Sequence, residues 1–563
     1  MNAASPDITS AGPGRESWFS RKRLFQIHGW LGMSLGSLLF VICFSGAAAV
    51  LSHELDWLAN PVIRVQPAGE VASWGRWLRS AQDAHPDWRP RWITAPQNRY
   101  FAAEIVMEAP SGLWRRVYVN PYTAQVQGGT SYFNIQRFLR DFHRLLNIFA
   151  GGLFLVASFG FVLLFSVVSG LLFYKNFWRN LFQLRFHKGP RALWSDVHRL
   201  LGTWAFLFAA IIAVTGIWYF IEYASFYANG AAPASPLRIA RDRLIAHGPS
   251  PSLADVDTLL RNAQKAYPDL TISSLHFPIT SADPALVYGQ SAALLVRDRA
   301  NTVALDPFDA SVLHVQRADR MSLGERWQDS ADPLHFGDFA GLPGKLLWSL
   351  FGLTLPAMIL SGGYLSVRKS RPLVRDFTWR RVRRWTIWTW ASLAIMGASV
   401  YYSIPAATRY KTPAIPRYAS HGTHSIGPWR VSVEAGGHSL RLRFHCGSPD
   451  CQVNMQSPTL ALQGGHSLKP KAWAAYWSAA AIEIPAAYNG VVKIVAEDWA
   501  GGKHAAAVTV PRQSLEDDVK AVPGEGPFTG FGVWVFLIPF LLILSAIFVA
   551  WIGYFGGPDR ALP

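Results

Sequence analysis

Four histidines stand at matched distances from four pairs of small residues. His28, in His28-Gly29-Trp30-Leu31-Gly32, precedes Gly46 of Ser45-Gly46 by eighteen residues, and His198, in His198-Arg199-Leu200-Leu201-Gly202, precedes Gly216 of Thr215-Gly216 by the same number. His143 precedes Gly170 of Ser169-Gly170 by twenty-seven residues, as His335 precedes Gly362 of Ser361-Gly362. Equal offsets at both kinds of segment imply a duplicated unit. Neutral imidazole is a metal ligand, and two imidazoles facing each other suit the two axial positions of one low-spin haem. Four such residues in two pairs predict two haem b groups, held without covalent attachment.

Long apolar runs must position these histidines. The 563 residues are 50% apolar and only 16% charged, below the ~25% of a soluble domain. Six stretches are long enough for a hydrocarbon core of about 30 Å, over 27–52, 143–174, 198–223, 343–367, 385–404 and 529–553. The expected fold is therefore a polytopic α-helical membrane protein with about six transmembrane helices. The first span has a basic flank and a small-residue stretch, but cleavage there would remove His28, so we expect it to be retained.

The net charge of +17 is concentrated in short segments beside the spans. The loop 175–197 holds Lys175, Arg179, Arg185, Lys188 and Arg191 against Asp196, and 368–384 holds eight basic residues against Asp376. Both fall on one side of a six-span threading, which places them, the N-terminus 1–26 and the tail 554–563 in the cytoplasm. Segments 53–142, 224–342 and 405–528 then lie outside. Such basic loops suit anionic membrane lipid, and no nucleic-acid partner is expected.

In this threading His28 and His198 form an inner pair, and His143 and His335 an outer pair, each taking one histidine from each copy. Gly32, Gly46, Gly170, Gly202, Gly216 and Gly362 would give a macrocycle room or let helices pack closely. Arg21, Arg23 and Arg199 on the inner side, and Arg140 and Arg144 on the outer, are candidate propionate partners as well as interfacial anchors. His53 and Glu222 are secondary outer-face candidates. No non-haem metal site is expected, because neither face clusters three ligands close in sequence. Cys446 and Cys451 are a candidate disulfide in an oxidising compartment, whereas Cys43 is a lone thiol in an apolar helix.

The outer segments read as small α+β modules. The first offers a helix over Val71 to Ala84 and strands at 91–93, 101–107 and 116–119. The second offers a helix over Leu253 to Ala266 and strands at 271–277, 292–297 and 302–305. Asn120-Pro121 and Asp306-Pro307 mark turns at the last strand pairs. The 405–528 segment has no counterpart in the repeat and reads as mainly β. No GxGxxG, P-loop or HExxH motif is present, and the cytoplasmic loops are too short for a flavin or nicotinamide domain.

The chain resembles the PepSY-associated transmembrane family, which includes iron-regulated inner-membrane proteins and ferric-siderophore reductases. The resemblance rests on the motifs above, on Asn120-Pro121-Tyr122-Thr123-Ala124-Gln125-Val126, on Phe142-His143-Arg144, and on Leu334-His335-Phe336-Gly337 with Gly341-Leu342-Pro343-Gly344. It covers roughly 20–370. It implies a multi-pass protein of the bacterial inner membrane, PepSY-like domains in the periplasm at 53–142 and 224–342, and four haem-ligating histidines. It also implies a haem-dependent oxidoreductase: electrons from a cytoplasmic reductant or quinol would reduce a ferric siderophore or other ferric chelate and release Fe(II) for uptake. Asn120 replaces the usual aspartate of the turn, Asp309-Ala310 replaces Thr-Gly, and the 405–528 domain is additional. The alternatives are a non-enzymatic PepSY-domain scaffold or regulator of an envelope partner, and a metal or haem transporter.

Overall fold

The computed structural model describes residues 20–174, 182–229, 237–370 and 419–510 apart from short segments within those ranges, with scattered residues between 391 and 401. Its helices begin with α1 (Arg21–Ser34) and α2 (Gly36–Val50), which meet at a 68° bend. There follow α3 (Ser52–Ala59), α4 (Trp74–Ala84), α5 (Ile135–Leu145), α6 (Gly152–Phe173), α7 (Pro190–Trp204), α8 (Phe206–Asn229), α9 (Arg241–Ala246), α10 (Val256–Ala266), α11 (Leu323–Phe336) and α12 (Gly341–Ser370).

Among the described residues three stretches are long and apolar enough to cross a membrane, Gly152–Leu172, Phe206–Phe226 and Asp338–Leu365, and the bent α1–α2 pair, taken as one span, makes a fourth. At 1.5 Å per residue, the 21 residues of each of the first two reach about 32 Å, enough for the hydrocarbon core. Of the six expected spans, 385–404 lies largely and 529–553 wholly outside the described residues. Close packing in the bundle depends on small residues. A Cβ on Gly160 of α6 would lie 2.9 Å from the Ile217 nitrogen of α8, and one on Gly352 of α12 would lie 3.0 Å from the Ala47 Cβ of α2. Ser349 Oγ also donates to the Ala47 carbonyl at 3.1 Å.

The two expected PepSY-like modules are not separate. Strands β1 (Arg89–Thr94), β2 (Ala103–Glu108), β3 (Trp114–Val119) and β4 (Val126–Ser131) come from the first. The second supplies β5 (Thr271–His276), β6 (Ala285–Gln290), β7 (Thr302–Leu305) and β8 (Val312–Gln316). All eight form one sheet in the order β4-β3-β2-β1-β5-β6-β7-β8. The join is the antiparallel register Trp92↔His276, Ile93↔Leu275 and Thr94↔Ser274. Fusing β1 to β5 removes two open edges whose backbone groups would otherwise seek other partners. One core runs across the join, with Trp77, Ile93, Ile105 and Val117 from one half and Leu259, Leu275, Val287 and Val303 from the other. Helices α4 and α10 flank it; Asp257 of α10 accepts from the Gly75 nitrogen of α4 at 2.9 Å.

The strand expected over 292–297 is a loop, and the ladder runs instead through β6. The alternation in β6 places Ala285, Val287 and Gly289 inward, and a glycine in that series removes much of the apolar signal. Glycine is needed there, since a Cβ would sit 2.2 Å from the Thr271 carbonyl oxygen.

The described residues of 419–510 are built of strands. These are β9 (Ala419–Ile426), β10 (Trp429–Gly436), β11 (Ser439–His445), β12 (Thr459–Leu462), β13 (Ser467–Leu468), β14 (Ala472–Ala474), β15 (Ala479–Glu483), β16 (Gly490–Glu497) and β17 (Lys503–Val510). They form two sheets, β14-β15-β11-β10-β9 and β13-β12-β16-β17, with Trp429, Phe444, Leu460 and Ile494 in a shared core. Cys446 is disulfide-bonded and Cys43 is free; Cys451 lies outside the described residues.

Candidate functional site

Sequence places each histidine within the first turn or two of a span; in the structure His143, His198 and His335 precede the long apolar helices, and His28 lies within the bent α1–α2 pair. His28 lies on α1, His143 on α5, His198 on α7 and His335 on α11, each a helix that leads into the next at a break. Helix α5 ends in a left-handed residue, Leu146 at φ 48°, and α11 ends at Gly337 with φ 69°. A side chain at Gly337 would also strike Trp348, whose Cγ lies 2.2 Å from the position of a Cβ.

The structure brings the histidines together in two pairs. The ring centres of His28 and His198 are 6.5 Å apart with planes at 89°, and those of His143 and His335 are 6.1 Å apart at 32°. Each Nδ1 faces a hydroxyl from one of the Ser/Thr-Gly pairs: Ser169 to His28 at 2.9 Å, Ser45 to His143 at 3.4 Å, Ser361 to His198 at 3.0 Å and Thr215 to His335 at 2.8 Å. Within each copy, therefore, the hydroxyl on one span serves the histidine leading into the other.

The bonds of the hydroxyls favour one tautomer, and at His143 and His198 a carbonyl requires it. Ser45 donates to the Ile42 carbonyl, Ser169 to Ser166, Thr215 to Ile211 and Ser361 to Met358. With its hydrogen spent on a carbonyl, each oxygen accepts from the imidazole, so Nδ1 carries the proton. The Ile42 and Met358 carbonyls, 3.0 and 2.9 Å from the Nδ1 of His143 and His198, require the same assignment. Nε2 is then the lone-pair nitrogen, and the outer hydrogen bonds hold the ring as they hold metal-ligating histidines.

Two imidazoles that share one metal need a defined separation. A metal–nitrogen bond of about 2.0 Å plus about 1.1 Å to the ring centre, taken twice, gives about 6.2 Å. The measured 6.5 and 6.1 Å bracket it. Residues paired in this way could hold a metal-centred group such as haem b, which would supply metal–imidazole bonds.

The glycines divide by role. A Cβ on Gly46 would lie 2.8 Å from His143 Cε1, and one on Gly362 would lie 3.1 Å from His198 Cε1. These two make room for the rings. Gly216 meets the Cα of Gly160 at 3.6 Å and Gly202 meets Met358 Cε at 3.1 Å, so they serve helix packing, whereas Gly32 and Gly170 have nothing within 4 Å. The arginines divide too. Arg199 is 3.2 Å from Asp196 and donates to the Gln183 carbonyl at 2.7 Å. Arg144 donates to the Tyr223 hydroxyl at 3.0 Å. Arg140 lies 5.6 Å from the centre of the Phe336 ring, beside the outer pair. Arg21 is exposed at the start of α1, and Arg23 is half-buried with its backbone nitrogen bonded to the Ser20 cap.

His53 reaches Gln136 at 3.4 Å, and burial, with Lys345, Arg140 and Arg116 around it, drives its pKa well below the ordinary value. Its neighbour Glu54 pairs with Lys345 at 2.9 Å. Burial pushes the Asp56 carboxyl up to about 7, and Asn134 donates to it. Glu222 is half-buried near Tyr219, whose ring stands 5.3 Å from that of His335. Sequence reading missed the hydroxyl clamps, although Ser45, Ser169, Thr215 and Ser361 sit in the repeated pairs. It also missed a polar cluster of His247, Asp306 and Asp309 outside the bundle, because fifty-nine residues separate the histidine from the first aspartate.

No curated protein matches the chain. The family model for the PepSY-associated TM region matches residues 25–369. Proteins of that family are typically non-catalytic regulatory or scaffold domains. This overturns the expectation of a haem-dependent ferric-siderophore reductase, together with its oxidoreductase, electron-transport and siderophore roles, and family membership by itself supplies no haem. The reductase role came from the resemblance alone, and paired imidazoles can hold a group without performing chemistry on a substrate. Matched over more than half its length, the chain belongs to the PepSY-associated transmembrane family.

Proposed function

We propose that the protein is a non-enzymatic membrane scaffold or regulator that presents its PepSY-like modules and additional β domain to an envelope partner. The carrying observation is the continuity of the extramembrane part. The eight-stranded sheet fuses both modules, α5 and α11 lead from it into the bundle, and the β domain is bonded to the second module. Trp429 Nε1 donates to the Pro249 carbonyl at 2.9 Å, Ser281 Oγ to Met455 at 3.2 Å and Arg241 to Trp499 at 3.1 Å. A body joined in this way suits display of one extended surface. The charge pattern of the loops supports placing it in the periplasm of a bacterial inner membrane.

The histidine pairs are, in this reading, haem b sites with a structural task. His28 with His198, and His143 with His335, would hold the group through their Nε2 nitrogens and so join helices that come from different copies. A bound haem supplies metal–imidazole bonds that cross-link those helices. The fit of the ring separations and the favoured Nδ1–H tautomer support it.

The scaffold is tested in intact cells by a photo-cross-linking residue at exposed Gln127 of β4. A discrete adduct with an envelope protein is expected and should persist in a His28→Ala, His335→Ala double variant. No adduct there or at other exposed sheet positions, with loss of phenotype only in the histidine variant, would refute it. The cofactor is tested separately by the absorption spectrum and haem-to-protein ratio of the purified protein. Two haems are expected, with His28→Ala removing one and sparing the other. A colourless protein from haem-replete cells refutes the haem assignment alone.

A further inference from the structure

We propose that His247, Asp306 and Asp309 form a binding site for a zinc-class divalent cation at the seam between the second PepSY-like module and the β domain. His247 follows α9, and its Nε2 lies 3.0 Å from Asp306 Oδ2 and 4.0 Å from Asp309 Oδ2. The three donor atoms all fall within 4.8 Å of one another. Asp306 is fully buried, whereas the Asp309 side chain is 48% exposed. That leaves the site open to solvent on one side, as a three-ligand metal site requires for its remaining positions.

The neighbours orient the ligands. The Phe308 nitrogen donates to Asp306 Oδ1 at 3.0 Å, and the Ser311 nitrogen donates to Asp309 Oδ1 at 2.7 Å. Each carboxylate thus commits one oxygen to the backbone and turns the other toward His247. The imidazole packs against Phe308 with ring centres 5.0 Å apart. Of the two arginines on the same helix, Arg243 is engaged with Ser311 Oγ at 2.6 Å and Arg241 with the Trp499 carbonyl at 3.1 Å. Such secondary bonds are what hold metal ligands in place.

The first module provides an internal control. Its turn has the same backbone bonds, Asn120 N to Gln125 O and Ala124 N to Asn120 O, as Asp306 N to Ser311 O and Ala310 N to Asp306 O. There the side chain is an amide, and Asn120 Oδ1 accepts from the Tyr122 and Thr123 nitrogens at 3.0 and 3.3 Å. The turn therefore needs an acceptor but no carboxylate. Asp306 adds a charged oxygen that the turn does not use.

A first-row cation with bonds of about 2.0–2.2 Å holds adjacent ligand atoms about 3–3.5 Å apart. The present spacings of 3.0 and 4.0 Å to His247 approach this after a small shift of the exposed Asp309. Imidazole with two carboxylates favours zinc-like ions over calcium or magnesium. The ion would also brace the seam, because Asn454 of the β domain grips the loop after His247, donating from Nδ2 to the Gly248 carbonyl at 2.9 Å and to Leu244 at 2.8 Å.

The test is zinc titration of the tag-free, EDTA-stripped full-length protein in detergent, in competition with a chromophoric chelator. The parent is expected to bind one more equivalent than Asp306→Asn, Asp309→Asn or His247→Gln, each of which weakens that site about tenfold or more. Asp306→Asn recreates the asparagine of the first module and should unfold, without metal, at the parent temperature. Parent affinity no tighter than about 10 μM, or unchanged stoichiometry and affinity in both aspartate variants, overturns the proposal. If His247→Gln does not fold, solvent-exposed Asp309→Asn still decides.

Discussion

Replacing Thr215 by valine should damage the outer histidine pair more than the matching change, Ser361→Ala, damages the inner one. Valine keeps the shape of threonine and removes only the hydroxyl, so no cavity complicates the comparison. At the inner pair, His198 Nδ1 has two acceptors, Ser361 Oγ at 3.0 Å and the Met358 carbonyl at 2.9 Å. Loss of the hydroxyl leaves the carbonyl in place, and the cost is that of one ordinary hydrogen bond, about 0.5–1 kcal/mol. At the outer pair, Thr215 Oγ1 at 2.8 Å is the acceptor for His335 Nδ1. Without it a buried N–H is stranded, at about 1–3 kcal/mol. With about 3 °C per kcal/mol, Thr215→Val should lower the apparent unfolding temperature in detergent by roughly 3–9 °C. Ser361→Ala should lower it by at most about 3 °C on the same scale, and Thr215→Ser should match the parent. Equal melting of Thr215→Val, Thr215→Ser and Ser361→Ala would refute the argument that His335 depends on Thr215 more than His198 depends on Ser361.

Gly46→Ala, whose Cβ would press on the His143 ring at 2.8 Å, should cost about 1–3 kcal/mol in the same thermal assay. Gly170→Ala, with nothing within 4 Å, should be neutral or slightly stabilising, because alanine is the better helix former. Gly337→Ala should be the most damaging of the glycine changes, since it combines a positive φ with a collision against Trp348; unfolding above that of Gly46→Ala would contradict this. Burial lowers the His276 pKa to about 4 from the usual 6.5, so between those values the unfolded chain binds more protons than the folded one. His276 therefore makes stability fall as pH drops from 6.5 toward 4, and His276→Phe should flatten that part of the pH–melting curve. Burial raises the Glu108 pKa to about 7 from 4.5. The sign reverses: stability falls as pH rises from 4.5 to 7, and Glu108→Gln should gain stability relative to the parent at pH 8.

The parts of the structure legible in the sequence were those with a strong local signal. The apolar runs of α6 and α12 are uninterrupted over about one membrane thickness, that of α8 carries the single acid Glu222, and the offsets from each histidine to its glycine repeat. The Asn120 and Asp306 turns were readable because proline follows each. The fusion of the modules was not readable, because register between β1 and β5 depends on edges that meet only in the folded chain, through Trp92 and His276. Strand β6 was hidden by Gly289, which the Thr271 carbonyl demands. Of the nine strands described between 419 and 510, only β10, β11, β16 and β17 carry a strand-like sequence signal, as in β16, where Val492, Ile494 and Ala496 are buried.

The spacing itself has a physical reason that ties the site to the architecture. Eighteen helical residues rise about 27 Å, so a hydroxyl at the far end of the span that follows His28 cannot reach His28. It reaches His143, and the span after His143 returns Ser169 to His28. The second copy repeats the exchange between Thr215 and His335 and between Ser361 and His198. Each histidine is thus oriented by the other span of its own copy and faced by a histidine of the other copy. Orientation requires a folded helix pair, and pairing requires both copies. A single repeat would hold its two histidines with the proton on the same nitrogen and give neither a partner, which is why the duplication, more than any one motif, makes the site.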